Sequence, residues 1–414
     1  MTDENASRLL RPLRGEPDGQ PGFDVARAMA EGRRRRGLRR WTTGAALLAV
    51  TTVTAGGGTF AVAAMQPDPT EQKPAPVPSV APSMPVAAPV EAAPPKSCEV
   101  TLLPTGGVRK SLVTAGDPSG RHHAGRLYDA AENVIIWTNG KIDAKVRMPG
   151  KDASIGDINR SGIGVATSYH GSTEQAYVYR DGEFTVLDGT GTRAFAINDA
   201  GVIVGGIGDF QNQAPVRWNT AGAKLERLPV PDEYPFGMAT DIAEDGTVLG
   251  AVGDGRFTAT AYLWLPDGTG KELPLPTVNG RKADSFSASS IADGWIYGMA
   301  VFVSSDQTTP GANGQANREL SPVKYRLADG TYHPVPAETG IGFGHLADNG
   351  WILALAGDKP VIVSGSRVTR LPEYQRYKEY QVTSLSADGT KAGGYSTDMG
   401  PEEVDNRPFL WTCK

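Results

Sequence analysis

The chain is poor in the residues that do most metal and redox chemistry: it has two cysteines and five histidines in 414 residues. Two cysteines exclude a disulfide-dense scaffold and a four-cysteine zinc site, and leave room for one disulfide. Aromatic residues make up only 7%. Familiar catalytic signatures are missing too: there is no G-x-S-x-G elbow, phosphate-binding loop or HExxH pair. His122 and His123 are neighbours in a predicted strand, so they face opposite sides and cannot chelate one metal together. Glycine pairs such as Gly162 with Gly164 and Gly205 with Gly206 lack a surrounding βαβ unit and read as strand-packing residues, not cofactor loops.

Glycine (51) and proline (31) are abundant, which fits short strands and turns and excludes a large helical bundle. Charge is divided unevenly. Residues 1–97 carry 12 Lys/Arg against 9 Asp/Glu, and residues 98–414 carry 29 against 37, a net −8. A surface of that sign argues against a nucleic-acid partner, because phosphate binding needs a basic footprint.

One long uncharged run exists, the 25 residues from Trp41 to Met65, directly after six arginines in residues 33–40. About 20 residues cross a bilayer core, so residues 41–65 are expected to form one transmembrane helix. The arginines place residues 1–40 in the cytoplasm as a basic tail, with the remainder outside the cell. The run exceeds the 7–15 apolar residues usual in a cleaved signal, which favours an anchor over cleavage after Ala61-Val62-Ala63. Residues 66–96 hold ten prolines in 31 positions and read as an extended spacer.

Beyond the spacer a pattern repeats: an aliphatic residue, a polar turn ending in glycine, then three β-runs. The turns end at Gly120, Gly162, Gly201, Gly246, Gly294, Gly350 and Gly389, spaced by 42, 39, 45, 48, 56 and 39 residues. That period suits four-stranded propeller blades and is too long for leucine-rich or ankyrin repeats. Asn139-Gly140, Asp181-Gly182, Asp267-Gly268 and Asp329-Gly330 supply hairpin turns to a last strand. The seventh unit stops after its third strand, and Cys98–Pro104 matches the missing fourth. The expected fold is therefore an all-β, seven-bladed β-propeller over residues 97–414, with the N-terminal strand completing the last blade. Cys98 and Cys413 then meet as a disulfide in place of the hairpin turn; the alternative is two unrelated buried thiols.

Residues 196–205, ending at Pro215-Val216-Arg217-Trp218, resemble the HAF repeat of bacterial extracellular proteins, as do Asp157–Gly162 and Ala261–Trp264. Arg193-Ala194-Phe195 stands where that family carries His-Ala-Phe. The resemblance covers about residues 111–414 and implies a surface propeller without specifying its activity.

Candidate sites follow from the repeat. The position before each aliphatic residue holds Asp157, Ala196, Asp241, Ser290, His345 and Ser384. Carboxylates and a histidine converging on a channel can do acid/base work, or they can bond backbone amides. The loops between second and third strands carry twelve carboxylates against three cations, a field that suits a cationic partner or loosely held Ca²⁺. Tyr374, Tyr377 and Tyr380 in one blade connection, and Tyr234 and Phe236 in another, are candidates for stacking on sugars or gripping peptides, or for closing over strand ends. Residues 304–320 read as a flap. The leading expectation is a membrane-anchored module on the bacterial cell surface that binds an extracellular protein or polysaccharide without catalysis. The alternative is an extracytoplasmic hydrolase or lyase acting on cell-wall or extracellular polymer.

Overall fold

The computed structural model describes residues 93–414 apart from 130, 210–211, 256–258, 304–317, 337–338, 340–343 and 401–403. The tail and membrane segment expected over 1–65, and all but the end of the proline-rich spacer, lie outside the described residues. Among the described residues no helix is long and apolar enough to cross a membrane.

Among the described residues seven four-stranded antiparallel sheets follow one another in sequence, six of them with their strands in chain order. Blades 1 to 6 cover 111–146, 151–186, 192–227, 236–272, 285–334 and 345–370. Blade 7 takes its first three strands from 380–413 and its outermost strand from Cys98–Leu102, which pairs with Pro408–Cys413. Cys98 stands opposite Cys413 in that register, and the two form a disulfide across a sequence separation of 315. The ladder runs past the bond, with the Lys96 N–H donating to the Lys414 carbonyl and the Lys414 N–H to that of Ser97.

The first strand of every blade touches the first strand of the next, around all seven joints, so these strands line a central channel. Apolar packing follows the same plan. Seven core clusters each straddle one joint, from Ala115 and Ile136 against Ile155 and Tyr177 between blades 1 and 2 to Leu103 and Leu410 against Val113 and Trp137 between blades 7 and 1. A blade buries its faces only against neighbours, so the ring is stable as a whole. Four third strands carry a tryptophan at or near their end whose indole N–H reaches a carbonyl at the outer edge of the preceding blade. These are Trp137 to Pro104, Trp218 to Asp188, Trp264 to Pro229 and Trp411 to Pro372, at 2.6–3.0 Å.

All seven turn glycines sit in the left-handed region, with φ between 65° and 88°. Asn139-Gly140 and Asp181-Gly182 have positive φ at both residues, as a hairpin turn of primed type requires. A small additional hairpin, Thr277–Val278 with Arg281–Lys282, lies between blades 4 and 5 and turns on Asn279-Gly280. Of the expected flap, residues 318–320 instead begin the nine-residue strand Arg318–Arg326, and 304–317 lie outside the described residues.

Candidate functional site

A regular irregularity places the channel residues. In six first strands the register slips by one residue: between Val113 and Ala115, Ile155 and Asp157, Ala194 and Ala196, Ala239 and Asp241, Ala288 and Ser290, and Val382 and Ser384. Such a bulge bends the strand and re-aims the next side chain. In five blades a glycine faces the residue just before the bulge. A Cβ on Gly125, Gly205, Gly250, Gly298 or Gly394 would lie 1.9–2.4 Å from a backbone carbonyl of the first strand, so the close approach requires glycine.

The bulges bring Asp157 and Asp241, and the first strand of blade 6 brings His345, to the wall of one cavity of about 790 Å³, in the half of the channel next to the seven turns. All three are half-buried. Asp157 Oδ1 accepts the Ile158 N–H (2.8 Å) and Oδ2 the Ile197 N–H of the next blade (2.9 Å). Asp241 repeats this with Ile242 (2.9 Å) and Ile291 (2.8 Å). Ser290 Oγ accepts the Leu346 N–H at 3.4 Å, and His345 donates to the Val382 carbonyl. The same position therefore latches blade 2 to 3, 4 to 5, 5 to 6 and 6 to 7. Burial, with a contribution from Asp241, raises the Asp157 carboxyl to about 8 against the pull of its amide donors. Burial, against the pull of its hydrogen-bond donors, raises Asp241 to about 6, and burial, against the bond to Val382, lowers His345 to about 4.

The turns add a second tier of latches. The Asn159 amide donates to the Asn198 carbonyl (3.1 Å), the Asn198 amide to that of Ala243 (3.4 Å), the Asn349 amide to that of Asp388 (2.7 Å) and the Ala387 N–H to that of Pro118 (2.7 Å). Around the cavity mouth stand Glu244, Asp245, Asp293 and Asp348, with Arg160 as the single guanidinium in the lining. Arg160 is engaged by Asp199 and, at 3.8 Å, by Glu244. Neither Asp293 nor Asp348 forms an ion pair among the described residues. Burial and then the charge of Asp293 raise the Asp348 carboxyl above its ordinary range.

The three tyrosines lie elsewhere, at the opposite end of the first strand of blade 7. Tyr380 is 0% and Tyr377 7% exposed, and the rings of all three pack on Phe409 at 5.4–5.5 Å. The Tyr380 hydroxyl accepts the Tyr374 N–H and donates to the Tyr377 carbonyl, and that of Tyr377 donates to Asp405. Tyr377 and Tyr380 close over strand ends and present no stacking face to solvent. Phe236 is likewise buried, at 1%.

On that same face four of the nine described loop carboxylates are paired with cations. Glu132 pairs with Lys145, Glu174 with Arg193, Glu319 with Arg281, and Asp405 with both Arg376 and Arg407. Asp306, Glu402, Glu403 and Arg256 lie outside the described residues. Among the described residues no three His, Cys, Asp or Glu side chains are grouped to hold a metal ion such as Ca²⁺. The bulges and the mouth carboxylates were the features hidden from the sequence reading. An isolated glycine at one position of successive second strands was the signal for the first.

No known protein family matches the sequence, and neither does any curated protein. Solved structures share its shape at low identity. The WD40 repeats of RRP9 are 11% identical, with a TM-score of 0.46 over 79% of this chain and 99% of that one. The propeller domain of the trilobed protease from Pyrococcus furiosus is 12% identical, with a TM-score of 0.47 over 73% and 95%. A gluconolactonase from Xanthomonas campestris is 12% identical, with a TM-score of 0.41 over 79% and 99%. At TM-scores of 0.41–0.47 these likenesses carry no argument, and the seven blades rest on the strand pairing itself.

Proposed function

We propose that this chain is a non-catalytic binding protein of the bacterial cell surface, of the HAF-repeat kind, anchored by residues 41–65 and holding its propeller outside the membrane. Its ligand is the cationic part of an extracellular protein or amine-bearing polysaccharide, taken up at the turn-side mouth of the channel. One observation carries this reading. The ionisable groups deepest in the cavity have their hydrogen-bonding capacity committed to neighbouring blades, whereas Asp293 and Asp348 repel one another at an open mouth. A cation relieves that repulsion. The Cys98–Cys413 bond supports an oxidising, exterior location.

Calorimetric titration of the full chain with tri-lysine, at about 50 mM and about 300 mM salt, tests the proposal through charge screening. Saturable binding that weakens with salt is expected. Absence of binding, or equal affinity for a neutral oligosaccharide, contradicts it.

A hydrolase or lyase reading is favoured by one feature: Asp157 is held in the protonated state of a general acid near neutral pH. That reading requires turnover of wall-polymer fragments that disappears in Asp157→Asn. The binding reading expects no turnover by either protein.

A further inference from the structure

Six tryptophans are buried in the described ring, and four of them donate their indole N–H to a carbonyl of the preceding blade. Trp295 does not. At the start of the second strand of blade 5, it is 4% exposed and its Nε1–H has no partner. It lines a separate cavity of about 180 Å³ between blades 5 and 6, which shares no residue with the central one.

The composition of this second cavity is specific. Lys324 lines it, is itself 4% exposed, and holds its ammonium 4.2 Å from the Trp295 ring centroid while donating to the Gly350 carbonyl at 3.1 Å. His333 stands edge-on to the same indole, with ring centroids 5.2 Å apart. Pro334, Val335, Ile352 and Val363 supply apolar walls, and no carboxylate lines the space. A buried N–H left unpaired costs free energy that a bound acceptor recovers. An ammonium in the same wall selects an acceptor that is negative.

We propose that this cavity binds a short-chain organic carboxylate, its head group accepting from Trp295 Nε1 and facing the Lys324 ammonium and its aliphatic tail lying on the apolar walls. The volume is below the roughly 300 Å³ at which pockets for drug-sized ligands begin, so the acid carries only a few carbons. The apolar walls favour it over phosphate, whose oxygens would find no donors on that side.

The test is calorimetric titration of the full chain with butyrate and with inorganic phosphate at constant ionic strength. It is repeated on Trp295→Phe, which removes the N–H and keeps a ring, and on Lys324→Met, which removes the charge and keeps the stem. One saturable butyrate site is expected, weakened at least about tenfold in each variant. The Lys324→Met arm stands if Trp295→Phe folds poorly, and the unmodified chain alone decides whether butyrate saturates. No saturable butyrate binding, undiminished affinity in a folded variant, or tighter binding of phosphate overturns the proposal.

Discussion

At the residue scale, Asp157 shows how one carboxyl can look catalytic and act as a fastener. It sits in a cavity wall with a raised pKa, yet both oxygens are taken by backbone amides of two adjacent blades. The consequence for pH is definite. Below about pH 4 the carboxyl is neutral in folded and unfolded chains alike. Between its ordinary 3.8 and about 8 only the unfolded chain ionises, so the stability contributed by the neutral form is lost as pH rises and levels off above 8. Asp157→Asn cannot ionise, and its amide group can accept only one of the two N–H bonds. It is expected to be less stable than the unmodified protein by about 1 kcal/mol near pH 4. That deficit should shrink and then reverse as pH rises toward 8, which thermal unfolding across the range would read out. Position 157 was legible in the sequence as an aligned residue before an aliphatic one. Its partner, the Ile197 N–H one blade onward, was not, because only the closed ring brings them together.

At the scale of the strand, glycine has two separate duties that substitution can tell apart. Gly201 ends a turn at φ 81° with open space where a side chain would go, so Gly201→Ala strains only the backbone, at a cost of about 1–2 kcal/mol. Gly250 lies opposite a bulge, where a Cβ would meet the Met238 carbonyl at 2.0 Å. Gly250→Ala is therefore expected to cost more, about 3 kcal/mol, by forcing the two strands apart. Urea unfolding of both variants measures the difference. Turn glycines were readable because a polar run ending in glycine recurs at near-constant spacing. Bulges were harder: they come from pairing between two strands, and Gly205 or Gly250 taken alone is only a small residue in an apolar run. Tyr377 and Tyr380 were open in the sequence to two readings, since a connection rich in tyrosine and charge looks the same whether its rings face solvent or Phe409.

At the scale of the molecule, closure depends on a strand from one end of the chain joining three from the other, with a disulfide where the remaining blades have a covalent turn. A chain broken there would expose the edge of blade 7. Replacing Cys98 and Cys413 together by serine is expected to lower stability by up to about 4–5 kcal/mol, as loop-closure entropy gives for so long a loop. The loss should be visible as a lower urea midpoint, and addition of a reductant should reproduce it. The pairing was legible from an incomplete last repeat and an unclaimed first strand. The pairing of Glu132, Glu174, Glu319 and Asp405 was not, because counting loop residues omits the lysines and arginines that other segments bring beside them.

The central claim divides the acidic residues of the channel into inner fasteners and a cation-binding mouth, and one paired measurement separates the two. Tri-lysine affinity and melting temperature are measured for the unmodified full chain, for Asp157→Asn, and for Asp293→Asn combined with Asp348→Asn. The mouth variant is expected to lose at least about tenfold in affinity while keeping its melting temperature, and the Asp157 variant to melt earlier near pH 4 while still binding at neutral pH. Undiminished binding in the mouth variant, or loss of binding in the Asp157 variant without loss of stability, would contradict that division.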